Sequence, residues 1–99
     1  MPADCLFCKI VRKGISADII LETDSCAAFK DINPQAPSHF LVIPKKHIQN
    51  IDQIDPADTE LLGDLLSTAR QLAIQESVNL SGYRLVINCN SDGGQSVDH

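Results

Sequence analysis

The chain has no long apolar run, no surplus of positive charge, and no internal repeat, linker or low-complexity tract. Each absence closes off a class. A membrane-spanning helix needs about 18 or more consecutive apolar residues, so no membrane partner is expected. Lys and Arg number 8 against 13 Asp and Glu, a formal charge of −5, which leaves no basic face for a nucleic-acid polymer. A small phosphorylated ligand stays open, because one amide-rich loop holds a phosphate whatever the global charge. The opening MPADCLFCKI lacks a basic region followed by an apolar stretch, so no secretory signal is expected and the reading is cytoplasmic. With no linker, residues 1–99 suit one domain. The apolar share, 43%, is ordinary for a soluble globular protein.

What is present arranges itself by periodicity. CLFCKIVRK (5–13) carries Phe7, Ile10 and Val11 at helical offsets, with Gly14 where a helix stops. DIILET (18–23) and CAAFKDI (26–32) flank Asp24-Ser25 and read as a hairpin. NPQAP (33–37) is a rigid loop. HFLVIPKK (39–46) is a strand that Pro44 marks as an edge or an end. Residues 56–78 are the clearest helix. Asp55 suits its N-cap and Pro56 its first position, and Leu61, Leu62, Leu65, Leu66, Ala69, Leu72 and Ala73 form one apolar stripe. SGYRLVIN (81–88) reads as a further strand leading into DGGQSVDH. The order predicts an α+β fold, an antiparallel sheet with a long helix on one face and a short N-terminal helix. A sheet so ordered calls for another strand after residue 96. SVDH reads as its opening, so the sequence is expected to stop inside that strand.

Three groups of residues can carry chemistry. Gly93-Gly94-Gln95-Ser96 can turn successive N–H groups toward one point and cup a phosphate, with the Ser96 hydroxyl as a further donor, or it can be a plain turn between strands. Cys5-x-x-Cys8 can clamp a zinc ion if two of His39, His47 and His99 join it. The same pair can also be two unrelated small residues on a short helix. A thioredoxin-like redox pair needs a preceding strand, for which only four residues are available. Asp31 at a strand end can accept from two ribose hydroxyls, with Phe29 and Ile32 walling a flat base, or it can simply face solvent. Cys26 and Cys89 read as small buried thiols, and Lys45 and Lys46 as a solvated strand end.

Taken together, CLFCKIVRKGISADII, AAFKDINPQAPSHFLVIPKKHI, GYRLVIN and DGGQSVDH resemble the histidine-triad proteins of the Hint branch, in order and over nearly the whole chain. The resemblance implies a fold with a five-stranded antiparallel sheet and a homodimer with a continuous ten-stranded one. It implies binding of purine nucleoside monophosphates and hydrolysis of phosphoramidate or acyl-adenylate bonds at the α-phosphorus. In the family the middle histidine of His-φ-His-φ-His attacks phosphorus, and alternation on a strand puts all three imidazoles on one face. Carried onto this sequence, Asp31 binds the ribose, and Phe7, Ile10, Phe29 and Ile32 line the base pocket. Asn88, Gly94, Gln95 and Ser96 face the phosphate, and His39 supports the site. His99 matches the first triad histidine; the other two fall two and four positions beyond it, so this chain is expected not to turn over. Asp98 stands where an aromatic or apolar residue is more usual. The resemblance also implies a structural zinc held by Cys5, Cys8, His47 and His99. A competing expectation is a non-catalytic, zinc-stabilised nucleotide-sensing or interaction module.

Overall fold

A computed structural model of the chain describes residues 5–12, 18–31, 37–97 and 99. The apolar offsets around Phe7 wind Leu6–Val11 into helix α1. Cys5 is its N-cap, and Cys5 Sγ accepts from the Cys8 N–H at 3.4 Å. Gly14, the expected stop, lies outside the described residues. The expected hairpin forms from β1 (Ile19–Glu22) and β2 (Cys26–Lys30), antiparallel, with an irregularity between Ile19 and Leu21. Thr23 shapes its turn: Oγ1 accepts from the N–H groups of Ser25 at 3.4 Å and Cys26 at 3.0 Å, offering the backbone partners that no ladder supplies there. β3 (Phe40–Pro44) pairs antiparallel with β2, so the sheet order is β1-β2-β3. Proline has no N–H to donate, and Pro44 stands as the last residue of its strand.

Side chains alternate across a strand, and here both faces are covered. Ala27 and Phe29 of β2 lie opposite Ile43 and Leu41 of β3. Helix α1 covers this face, where Ile10 joins Ala27, Phe29 and Ile43 in a buried cluster edged by Phe7, Val11, Ile19 and Leu41. Cys26 and Ala28 point the other way and are also fully buried. The long helix α2 (Thr59–Gln75) packs against β2 and β3 and supplies that second cover.

The start of α2 follows from three residues. The Asp55 carboxylate accepts from the Ala57 N–H at 2.8 Å, and Asp58 Oδ2 accepts from the Asp55 N–H at 3.2 Å, a reciprocal capping box. Pro56 sits at the entry, where its missing N–H costs nothing. The stretch expected as helix over 56–78 therefore begins with a 3-10 turn, Pro56–Asp58, and ends as an α-helix at Gln75. Ser77 then takes φ 61° and turns the chain away. Leu72 and Ala73 are buried as the stripe requires, but Leu66 is exposed.

Three further expectations need correction. Residues 81–88 form no strand: residues 82–89 have no regular secondary structure, and no strand among the described residues lies beside them to complete a ladder. Leu80, Tyr83, Leu85, Val86 and Ile87 are consequently exposed, and Cys89 is only half-buried. Lys45 and Lys46 are not simply solvated. Lys45 Nζ lies 2.7 Å from Glu22 Oε2 across the sheet, and Lys46 Nζ donates to Asp58 Oδ1 at 2.7 Å. That pairing holds the buried Asp58 carboxyl below the usual carboxylate range, with the Asp55 N–H assisting, and it raises Lys46.

Candidate functional site

The site grows from α1 and the two chain segments beside it. Capping places Cys5 at the first turn of α1, and Cys8, one turn later, falls on the same side. β3 ends at Pro44 and delivers His47 three residues on, and the glycine-rich stretch returns His99 to the same point. The four ligand atoms all lie within 4.8 Å of one another. Cys5 Sγ and Cys8 Sγ are 3.4 and 3.6 Å from His99 Nδ1, and Cys8 Sγ is 3.2 Å from His47 Nδ1. The two Nδ1 atoms are 3.2 Å apart. Such a cluster can hold a metal ion.

Its protonation chemistry suits that role. The His99 Nε2–H donates to the Pro44 carbonyl at 2.8 Å, which leaves Nδ1 as the lone-pair nitrogen facing the cluster. Burial lowers the His99 pKa, and nearby His47 adds to this against the Pro44 hydrogen bond, so the neutral imidazole is favoured. Burial first, then the hydrogen bond and charge of Cys5, push the Cys8 thiol up. Crowded thiols of this kind ionise readily only beside a cation.

A line of rings runs from this cluster to the sheet. His47 and His99 meet edge-on at 5.0 Å between centroids. His99 meets Phe7 at 5.8 Å, and Phe7 meets Phe29 at 5.7 Å, both edge-to-face. Ile10 is buried in the same cluster as Phe29. Phe7, Ile10 and Phe29 are thus brought together. Ile32 lies outside the described residues. Asp31 follows β2 directly; its N–H donates to the His39 carbonyl at 3.1 Å, and its Oδ2 lies 3.4 Å from His39 Nε2. The two half-buried side chains hold each other at the mouth of the β2–β3 connection.

The glycine-rich loop differs from a cup of free amides. It forms a 3-10 turn, Ser91–Gly93, and Gly94 takes φ 79°, a left-handed conformation that glycine adopts without strain. The Gly93 and Gln95 N–H groups donate to the Asn90 carbonyl at 3.2 and 3.1 Å, and Gly94 N–H donates to Ser91 at 3.0 Å. Gln95 turns its side chain into the loop, where Oε1 accepts from the Asn90 N–H at 2.7 Å. Ser96, by contrast, is exposed and has no hydrogen-bond partner among the described residues. Asn88 is exposed beside Gly93, whose added Cβ would meet the Asn88 backbone at 3.8 Å. Sequence reasoning missed Asn50 and Asn90, which fasten this loop. One signal was available for Asn90: asparagine is enriched where φ is positive, and this one precedes a glycine turn.

With this geometry in view, comparison with known proteins places the chain. The HIT domain family model matches residues 12–99, and the chain belongs to that family. It is 48% identical over its full length to an uncharacterised HIT-like protein of Synechococcus elongatus, covering 86% of that protein. It is 39% identical, again over its full length, to the purine nucleoside phosphoramidase of Escherichia coli K12, covering 83% of it. The crystal structure of a HIT family hydrolase from Legionella pneumophila superposes with a TM-score of 0.94 at 50% identity, covering 97% of this chain and 86% of that one. The fold is therefore the HIT fold, a long helix with an antiparallel sheet. No helix among the described residues is long and apolar enough to cross a membrane.

Proposed function

We propose that this HIT domain binds a purine nucleoside monophosphate, or the nucleotide part of its phosphoramidate or acyl derivative, and that the intact catalytic unit hydrolyses the bond at the α-phosphorus. The observation that carries the reading is the ring line from Phe29 through Phe7 to His99, with Asp31 two residues beyond Phe29. It offers apolar walls for a base and a carboxylate for a ribose on one edge, and leads to the glycine-rich stretch at the other. The name of the Escherichia coli relative supports the substrate class. Asp31, oriented by His39, accepts from the ribose hydroxyls. Ser96, whose hydroxyl and N–H have no partner among the described residues, faces the phosphate beside Asn88 and Gly94. The histidines of this sequence are His39, His47 and His99. His99 is proposed to stand at the first position of the family's histidine triad.

The metal is proposed to be zinc, in a structural role. Zn–S bonds of about 2.3 Å and Zn–N bonds of about 2.0–2.1 Å in a tetrahedron require S···N edges of roughly 3.5 Å and an N···N edge of roughly 3.3 Å. The observed separations, 3.2–3.6 Å and 3.2 Å, fit that set. Bound zinc supplies a cross-link between α1, the segment after β3 and the end of the chain. The exposed apolar residues of 80–87 support a homodimer that covers them. A cytoplasmic location accords with reduced thiols, the state in which all four cysteines stand.

Calorimetry with adenosine and guanosine monophosphates tests the reading. Binding is expected. A folded, zinc-loaded sample that binds neither nucleotide overturns it. The internal engagement of the Gly93, Gly94 and Gln95 amides favours one second reading, a zinc-stabilised sensing or interaction module. Stoichiometric zinc, lost in Cys8→Ser, without nucleotide affinity selects that alternative.

A further inference from the structure

Four hydrogen bonds converge on Asn90. Its N–H donates to Gln95 Oε1, and its carbonyl accepts from the Gly93 and Gln95 N–H groups. Its Oδ1 accepts from Asn50 Nδ2 at 3.0 Å. Yet its backbone sits at φ 61°, ψ −177°, a conformation that is essentially confined to glycine and persists elsewhere only when the surroundings enforce it. Asn50 supplies that enforcement from outside the loop. It is 8% exposed, and its own Oδ1 is fixed by accepting from the Asp52 N–H at 3.0 Å. Gln95 adds a second tie, with Nε2 donating to the carbonyls of Gln49 at 2.5 Å and Val97 at 3.0 Å.

The placement of these ties matters. Residues 49 and 50 grip the loop at two points, and His47 lies just upstream of them. Val97 lies just upstream of His99. The clasp and the metal cluster are therefore two fasteners between the same two parts of the chain, residues 47–50 and the loop that runs from Asn90 to His99.

We propose that Asn50 is a positioning residue for the glycine-rich loop, and that the clasp formed by its bond to Asn90 and by the bond of Gln95 to Gln49 joins loop order to metal occupancy. Its consequence for phosphate binding rests on the nucleotide reading above; the coupling itself does not. Linkage is reciprocal: metal that orders the loop tightens whatever binds Ser96, and a ligand at Ser96 tightens the metal by the same factor.

Amide hydrogen exchange at Gly93, Gly94 and Gln95 reads the clasp without nucleotide. The 99-residue chain is compared zinc-loaded and chelator-stripped. Zinc is expected to slow exchange at these amides roughly tenfold. Asn90→Gly deletes the acceptor while glycine accepts the backbone conformation. Its exchange should be about tenfold faster and insensitive to zinc, with the unfolding midpoint within about 2 °C of the parent. Asn90→Asp keeps an acceptor for Asn50 and should restore protection, and Asn50→Ala should match Asn90→Gly. Loop amides that ignore zinc in the parent chain, or keep their protection in both Asn90→Gly and Asn50→Ala, overturn the proposal. Adenosine monophosphate affinity on the same samples separates the two ideas. Zinc-ordered amides without nucleotide affinity sink the nucleotide reading alone, and affinity with unresponsive amides sinks the clasp alone.

Discussion

Phe29 and Ile87 are both large apolar residues in short apolar runs, yet Phe29 is 5% exposed and Ile87 60% exposed. Phe29 sits on a strand with partners on both sides and α1 across its face. Ile87 belongs to a stretch with no ladder partner and no cover among the described residues. The contrast shows that strand-like sequence makes a strand only where another backbone stands alongside. It also shows where stability resides: in the sandwich of α1, sheet and α2, rather than in the limb from residue 80 to 97.

The sharpest way to break that contrast is truncation on each side. Phe29→Ala should cost about 3–5 kcal/mol of unfolding free energy, while Ile87→Ala should change that of the monomer, measured at low protein concentration, by less than about 0.5 kcal/mol. Urea titrations of both variants check this; equal losses would remove the division. Metal removal should come next. With zinc at about a thousand times its dissociation constant, binding contributes about 4 kcal/mol, so a chelator should lower the midpoint sharply in the parent and hardly at all in Cys8→Ser. Asp31→Asn should then weaken adenosine monophosphate binding by roughly 10- to 100-fold, since a hydrogen bond to a charged group is worth about 1.5–3 kcal/mol. Ser96→Ala, on the limb, should lose less, and calorimetry ranks the two.

The smallest effect concerns Lys46 and Asp58. The folded carboxyl is held below its usual range, so its contribution is present above the unfolded carboxylate pKa and fades as pH falls through the folded value. Lys46→Met should lower stability modestly at neutral pH, because the Lys46 side chain is largely exposed. The difference should shrink below about pH 4, which urea midpoints across pH would show.

Much of the packed half was legible because its signals are local. Asp55 and Pro56 announced the entry to α2, and Asp24-Ser25 marked the turn between β1 and β2. Helical spacing around Phe7 gave α1. The limits of legibility have equally physical causes. Asp58 and Glu22 are distant in sequence from Lys46 and Lys45, so neither ion pair follows from local pattern. Leu66 fits the helical stripe, but the stripe is wider than the surface that β2 and β3 present. The four metal-cluster residues were readable as donors, and family likeness supplied their grouping; nothing in the spacing shows that His99 turns Nε2 toward Pro44. The loop was legible by its glycines, but the use of its amides by Asn90 and Ser91 depends on backbone angles that composition does not encode.

Phe7 stands edge-on between Phe29 and His99, and the chain contains no tryptophan. An indole placed at that position would be the sole indole, excited at wavelengths that Tyr83 does not absorb, with one neighbour in each compartment. Quenching on metal loading and a shift on adenylate addition would then appear in a single spectrum, making one side chain a meter for two otherwise separate equilibria.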